Sequence, residues 1–559
     1  MLNYYTCMRF LNYFSVVLLP ALLLIQPQLH SQDLKVIPPE KPKIIVGIVV
    51  SQMRYDYIQR YWDKLDESGI KLLVNRGTSC KNAGFNYLYS QEGVGHASLA
   101  TGTTPSDHGI VGMDWYLYLQ DKIENSTEDQ QQKAVGGDAD NGHYGPKNLM
   151  CTTFSDELRL SNNFKSKTYS VSMDPAPGIF SVGQTGNGAY WFDIRTGNWI
   201  TSSYYTDTLP KWVTEFNAKR FPDVYLKEAW NTLLPIDQYV ESLPDNNKYE
   251  AGIKGQNTFP YILAGLSETR KNKVEYDLLE NVPFGNTYTK DFASTLVVSE
   301  ELGKDDFTDV LMVCFTANEH IGNLFGPNSV EMQDVILRLD KEIAQFLTFL
   351  DEYVGKENAL VFLTSDHGVA QVPAYLMDNR IPVGYFNQTG AVSLLISAMN
   401  NTYGKGDWIK NYHSGQIYLN HTLIEDSKIS LVAMQDYVAQ FMLQFSGVAN
   451  TITANTLQTT NFTDGIFRKI QNSYNQKRSG DVIINLKAGW VEKSDAVTGG
   501  SSAYSYDSHI PLIWYGWKIG RSSISRQVDI TDIAPTISTF LNTSYPNSCT
   551  GKPIFEIIQ

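Results

Sequence analysis

Short, nearly unbroken apolar runs recur along the chain, each ending in a polar turn. Residues 43–50 (KIIVGIVV) form a β-branched run suited to a strand buried on both faces, and the YDYIQRYWDKL that follows is spaced as an amphipathic helix. Residues 309–316 (DVLMVCFT), 359–364 (ALVFLT) and 510–515 (IPLIWY) repeat the strand signal. Between the first two of these, Asn328-Ser-Val-Glu331 predicts a capping-box start for a helix reaching about Tyr353. Its apolar face would carry Val335, Ile336, Leu339, Ile343, Phe346 and Leu350. Strands alternating with covering helices predict an α/β fold, a three-layer α/β/α sandwich around a mostly parallel sheet. Ligands of such sheets bind outside the carboxyl ends of the strands, so the residues just after each run are the ones to inspect.

Two stretches lack this rhythm. Residues 185–295 are rich in Trp, Tyr, Asn, Pro and Gly, and residues 378–480 mix short alternating segments with polar turns. Both are expected to be insertions folding over the strand ends of one domain spanning 42–559, with their aromatic residues serving packing rather than a sugar platform. The first 31 residues stand apart. An apolar run of 12 (FSVVLLPALLLI) follows Arg9 and gives way to a polar segment, which predicts a secretory signal peptide cleaved after Ser31, with initiation at Met1 or Met8. A spanning helix needs about 20 apolar residues and no other run approaches that, so an exported protein is expected, periplasmic, surface-associated or released.

Composition narrows the partners. Asp plus Glu number 59 against 45 Lys plus Arg, a net charge of −14, and no basic cluster interrupts that balance, which argues against binding a nucleic-acid backbone. Cys80, Cys151, Cys314 and Cys549 have no C-x-x-C spacing and so form no zinc cluster. An exported compartment would permit one or two disulfides without fixing their pairing, while Cys314, inside an apolar run, reads as a buried thiol.

The polar turns carry a series of motifs: Ser51-Gln-Met-Arg-Tyr-Asp56, Asn86-Tyr87, Glu92-Gly-Val-Gly-His96, Asp107-His108-Gly109, Asn318-Glu-His-Ile-Gly-Asn323, Asp366-His367-Gly368, Tyr504 to Pro511 and Asp529 to Thr536. In this order and spacing the chain resembles the alkaline phosphatase superfamily, in the secreted branch of Thr-nucleophile phosphatases and type I phosphodiesterases/nucleotide pyrophosphatases. The resemblance covers about residues 42–557. It implies two zinc ions about 4 Å apart that clamp the attacking and leaving oxygens of an in-line displacement. It also implies His and carboxylate ligands, a Thr nucleophile at a helix start, and Asn, Lys and Arg side chains on the phosphoryl oxygens.

Few of those positions hold the implied residue. The Thr nucleophile is replaced by Glu92, the phosphate-binding Asn by Met113, and the Lys-Asp-Arg segment aligns with Asp174-Pro-Ala176. At one metal Asp366 and His367 are retained while the strand-end Asp is Ser51. At the other, Asp-x-x-x-His becomes Glu319 and Asn323, and the His before Tyr504 is Gly500, no histidine lying between 422 and 508. Asp366-His367-Gly368 alone could equally be a turn after a buried strand. His96, His108 and His509 read as scaffold, and His320 points away from Glu319 if the backbone there is extended.

These losses lead to the expectation of a catalytically inactive member that binds a protein partner, a glycan or a phosphorylated ligand, with no zinc pair. Glu92, read as a fixed carboxylate favoured by the orphan amides of a helix start, would occupy the anion site. The alternative is a metal-dependent phosphatase or phosphodiesterase with a rebuilt site, in which Glu92, Glu319, Asn323, Asp366 and His367 hold one divalent cation. Zinc, magnesium, calcium and manganese are the candidates, and oxygen-dominated ligands favour the last three.

Overall fold

A computed structural model describes residues 40–268 and 274–558. The signal-peptide prediction therefore lies outside the described residues. Among these residues no helix is long and apolar enough to cross a membrane.

Strict alternation builds the core. In the strand Ile44–Val50, Ile44, Val46, Ile48 and Val50 face one hydrophobic cluster, and Ile45 and Val49 face another on the opposite side. Its neighbour Asp309–Phe315 divides in the same way, with Leu311, Val313 and Phe315 against Val310, Met312 and Cys314. A strand apolar at every position is what a sheet covered on both faces requires. These strands lie at the middle of a ten-stranded sheet with helices on both sides. Its order is Ser522–Asp529, Thr78–Gly84, His509–Gly516, Ala359–Thr364, Ile44–Val50, Asp309–Phe315, Thr168–Ser172, Gly188–Asp193, Asn198–Ser202 and Ala134–Val135. The five central strands, from Ala359–Thr364 to Gly188–Asp193, are mutually parallel. His509–Gly516, predicted from its apolar run, joins antiparallel to both of its neighbours.

The long helix runs Val330–Leu350 and continues into a wider turn at Asp351–Gly355. Its cap is Ser329, whose Oγ accepts Met332 N–H at 3.0 Å, and not Asn328, which pairs with Gln371 instead. Glu331, expected to close a capping box, is fully buried and accepts the Tyr261 hydroxyl at 2.5 Å.

The first aromatic-rich stretch is less of an insertion than its composition implied, because Gly188–Asp193 and Asn198–Ser202 are strands of the main sheet. Its Trp199 stacks on Phe292 of the helix Phe284–Ser299. The second stretch holds its own four-stranded sheet, in the order Ile409–His413, Gln416–Leu419, Val482–Leu486 and Val448–Thr453, packed on the helices Gln388–Tyr403 and Leu431–Met442 around a separate small core.

One contact sets the position of the cleft. The helix Glu92–Thr101 lies so close to the end of the strand Ala359–Thr364 that a Cβ on Gly95 would stand 2.3 Å from Asp366 O and 2.8 Å from its Cα. Only glycine permits that approach. Gly95→Ala should push the helix off Asp366 and cost about 1–3 kcal/mol, as overpacking typically does. Denaturant unfolding measures it, and unchanged stability would mean that the two backbones are free to separate at no cost.

Candidate metal centre

Four neighbouring parallel strands deliver the cleft residues from their carboxyl ends. Ile44–Val50 leads into Ser51 and Gln52, Ala359–Thr364 into Asp366 and His367, Asp309–Phe315 into the helix Ala317–Phe325 that bears Glu319, and Thr168–Ser172 into Asp174. This is where a doubly wound sheet places its ligands. Glu92 and His96 enter from above on the helix that Gly95 seats.

Asp366 is fully buried and held from several sides. Ser51 Oγ donates to Oδ2 at 2.6 Å, Gln52 N–H donates to Oδ1 at 3.2 Å, and His96 Nε2 stands 3.6 Å from Oδ2 with no hydrogen-bond partner of its own. Burial alone would raise its pKa, but His367, His96 and Ser51 together hold it below the usual carboxylate range. His367 Nδ1 donates to Gly368 O at 2.7 Å, which turns Nε2 toward Glu319 Oε2 at 3.1 Å. A backbone acceptor behind a ring nitrogen is the arrangement that orients a metal-binding histidine. Burial opposes the imidazolium, yet Glu319 and Asp366 outweigh it and keep His367 protonated to about pH 10.

Glu319, Asp366 and His367 thus converge: one ligand atom from each lies within 4.8 Å of the other two. Glu319 is aligned with a ligand of the other metal, but it reaches across to the retained pair. Two predicted members stay out. Asn323 Oδ1 accepts Gln52 Nε2 at 3.1 Å, and Glu92 makes no side-chain hydrogen bond to any described residue, so neither completes the set. Gly500 offers no side chain, and a Cβ there would already be 3.2 Å from His367 Nδ1. The residues fit one divalent cation with three protein ligands and do not fit a pair.

Two electrostatic expectations are corrected. Glu92 does not sit as an ordinary exposed carboxylate. Burial first, and then Asp174, Glu319 and Asp366 facing it, push its carboxyl well above the normal range. Nor does it occupy the helix amides, since Gly93 N–H points at Met113 Sδ, 3.2 Å away. Met113 and Ala176 make this corner apolar, both lying 3.2–3.3 Å from the position of a Gly93 Cβ. His320 does not turn away into solvent as an extended backbone would have it. The segment is helical, and His320 Nε2 bonds Asp174 Oδ2 at 3.0 Å, so the cleft keeps a cation beside its acids.

The other histidines are structural. His108 Nε2 meets Ser98 Oγ at 3.0 Å, with burial pushing its pKa down to about 3, and His509 stacks on Tyr55 at 4.1 Å. The four cysteines are free thiols, Cys314 fully buried. Sequence reasoning missed Glu280, whose carboxyl burial pushes up to about 8 beside His320 and Asp174. It sits in a short helical turn, Tyr276–Asn281, inside the aromatic-rich stretch, where no motif marks it.

The raised pKa of Glu92 has a measurable signature. The folded state retains a proton that the unfolded chain releases above about pH 4.5, so this group's contribution to stability falls as pH rises from there toward the folded pKa. Glu92→Gln, which mimics the neutral acid, should match the native protein in melting temperature near pH 5 in chelator and exceed it increasingly up to pH 9. Parallel melting curves across that range would show that Glu92 titrates normally.

Known proteins resemble this chain over nearly its whole length. The family model described as type I phosphodiesterase/nucleotide pyrophosphatase matches residues 45–505. Alkaline phosphatase PafA of Elizabethkingia meningoseptica is 38% identical over 96% of this chain and 98% of its own. Alkaline phosphatase PhoV of Synechococcus elongatus is 36% identical over 96% and 95%. A Myroides odoratus protein named calcium-transporting ATPase is 38% identical over 93% and 95%. A crystal structure of PafA superposes with a TM-score of 0.89 at 38% identity, covering 93% of this chain and 99% of that one. These relatives overturn the expectation of a catalytically inactive binding protein, since PafA and PhoV, similar over nearly their whole length, are named alkaline phosphatases. Two physical grounds for that expectation change too, because burial and neighbouring acids raise the Glu92 pKa and Glu319 stands with Asp366 and His367 as a third group able to ligate. From strand order to cleft, the chain belongs to the type I phosphodiesterase/nucleotide pyrophosphatase family of the alkaline phosphatase superfamily.

Proposed function

We propose that this protein is a metal-dependent phosphoric ester hydrolase working with one divalent cation. The convergence of Glu319, Asp366 and His367 within 4.8 Å carries the reading, and the alkaline phosphatases similar to it over nearly their whole length support it. One imidazole and two carboxylates form an oxygen-dominated set that suits Mg²⁺, Mn²⁺ or Ca²⁺. A cation bound there supplies Lewis-acid polarisation of a phosphoryl oxygen.

The chain's own residues divide the remaining work. Ser51, fully buried and bonded to Asp366, orients that carboxylate and is not exposed to attack phosphorus. With a carboxyl in place of the Thr hydroxyl, the attacking oxygen is that of water. Burial and the neighbouring acids raise the Glu92 pKa, which favours the protonated form a general acid needs to protonate a departing alcohol oxygen. His320 beside Asp174 sets one positive charge against the acids of the cleft.

Purified protein should contain about one divalent cation per chain, and hydrolysis of aryl phosphate mono- or diesters should disappear with chelator. Asp366→Ala should cut turnover by about 100-fold or more, since even residues that only orient metal ligands are typically worth 10- to 100-fold. Two metals per chain would overturn the single-cation arrangement. Turnover indifferent to both chelator and Asp366→Ala would overturn the metal centre itself.

A further inference from the structure

A cavity of about 260 Å³ opens beside the metal centre, between the main domain and the second inserted stretch. Gln91, next to Glu92, lines one side, and Gly500, whose missing Cβ would touch His367 Nδ1, lines another. A phosphoric ester bound at Glu319, Asp366 and His367 therefore has this cavity as a neighbour for its alcohol portion.

The lining describes that portion. Trp490 is gripped between Gly384 and Gly447, whose Cβ atoms would lie 3.1 and 2.2 Å from its ring, so it offers a fixed aromatic wall, extended by Leu88 and Ile484. Polar capacity comes from hydroxyls on the wall, since Ser414 and Ser501 line the cavity and neither side chain bonds a described residue. No Lys or Arg lines the cavity, and Glu492 does, so an anionic group would find no counter-charge and one acidic neighbour. The volume falls below the roughly 300–1,000 Å³ of pockets for drug-sized ligands, which limits the occupant to about one ring.

Building on the hydrolase reading, we infer that this cavity is the subsite for a neutral, hydroxylated ring, a single sugar unit, as the alcohol of the phosphoric ester. The ring's C–H face packs on Trp490, and its hydroxyls meet those of Ser414 and Ser501 and the Glu492 carboxyl, one oxygen of which already accepts the Tyr412 hydroxyl. Anionic alcohols, such as the nucleotide that leaves when a nucleoside polyphosphate is cleaved, are disfavoured.

The test compares glucose 6-phosphate with glycerol 3-phosphate, two esters of primary alcohols that differ in the ring. Trp490→Ala should lower kcat/KM for glucose 6-phosphate by about tenfold or more and leave glycerol 3-phosphate within about twofold. Because Trp490 also packs against two glycines, Ser494→Trp, at an exposed position on the cavity's rim, provides a second variant and should show the same selective loss. Equal losses on both esters, or none from either variant, would overturn the subsite. If the native protein hydrolyses neither ester nor any aryl phosphate with any divalent cation, the hydrolase reading fails on its own. Calorimetric titration with methyl β-D-glucopyranoside then decides the subsite: binding heat lost in Trp490→Ala supports it, and absent or unchanged heat overturns it.

Discussion

The approach of one helix to one strand end, permitted by the missing side chain of Gly95, is the constraint on which the cleft depends. It sets the backbone of Glu92–Thr101 directly on Asp366, and three things follow. Glu92 is carried into a pocket of other acids, His96 is brought beside the Asp366 carboxylate, and the strand end has no room to shift. Buried charge in such a space must be compensated or removed. Asp366 is compensated, by a hydroxyl, a backbone amide and two imidazoles, and at Glu92 burial and the neighbouring acids raise the pKa, which favours the uncharged form.

That distinction explains what could be read in the sequence. The strands at Ile44–Val50, Asp309–Phe315 and Ala359–Thr364 were legible because a sheet covered on both faces makes them almost wholly apolar, whereas Thr168–Ser172, with Thr168, Ser170 and Ser172 buried, was not. Asp366 and His367 stand at a strand end, but it was the resemblance to the family that distinguished them from a simple turn. Direction was not legible: the run at His509–Gly516 is as apolar as its neighbours yet runs against them, since burial does not encode polarity of the chain. Nor was the continuation of the sheet into Gly188–Asp193 and Asn198–Ser202, where aromatic side chains and turn residues hide the alternation.

Ionisation state was the least accessible property. A residue's letter gives its charge in water, whereas the charge in a cleft depends on neighbours that are distant in sequence. Glu92 counts as −1 in the total of −14 but stands within the fields of Asp174, Glu319 and Asp366, contributed by three other segments. Glu319 raises the same difficulty in geometric form. Its position in the motif assigned it to one metal, and only the course of the helix Ala317–Phe325 shows its side chain reaching the other.

The Gln52–Asn323 contact closes the side of the cleft away from Glu319, Asp366 and His367 to a further ligand. Gln52 adopts a left-handed backbone conformation (φ 61°), and its amide fills the space beside Gly322, where a Cβ would lie 1.8 Å from its Oε1. Its Nε2 is satisfied by Asn323 while Oε1 is buried without a partner. A histidine at position 323 would remove that acceptor and meet a glutamine already wedged in place, and position 500 would still lack a side chain, so no single substitution there builds a second set of metal ligands.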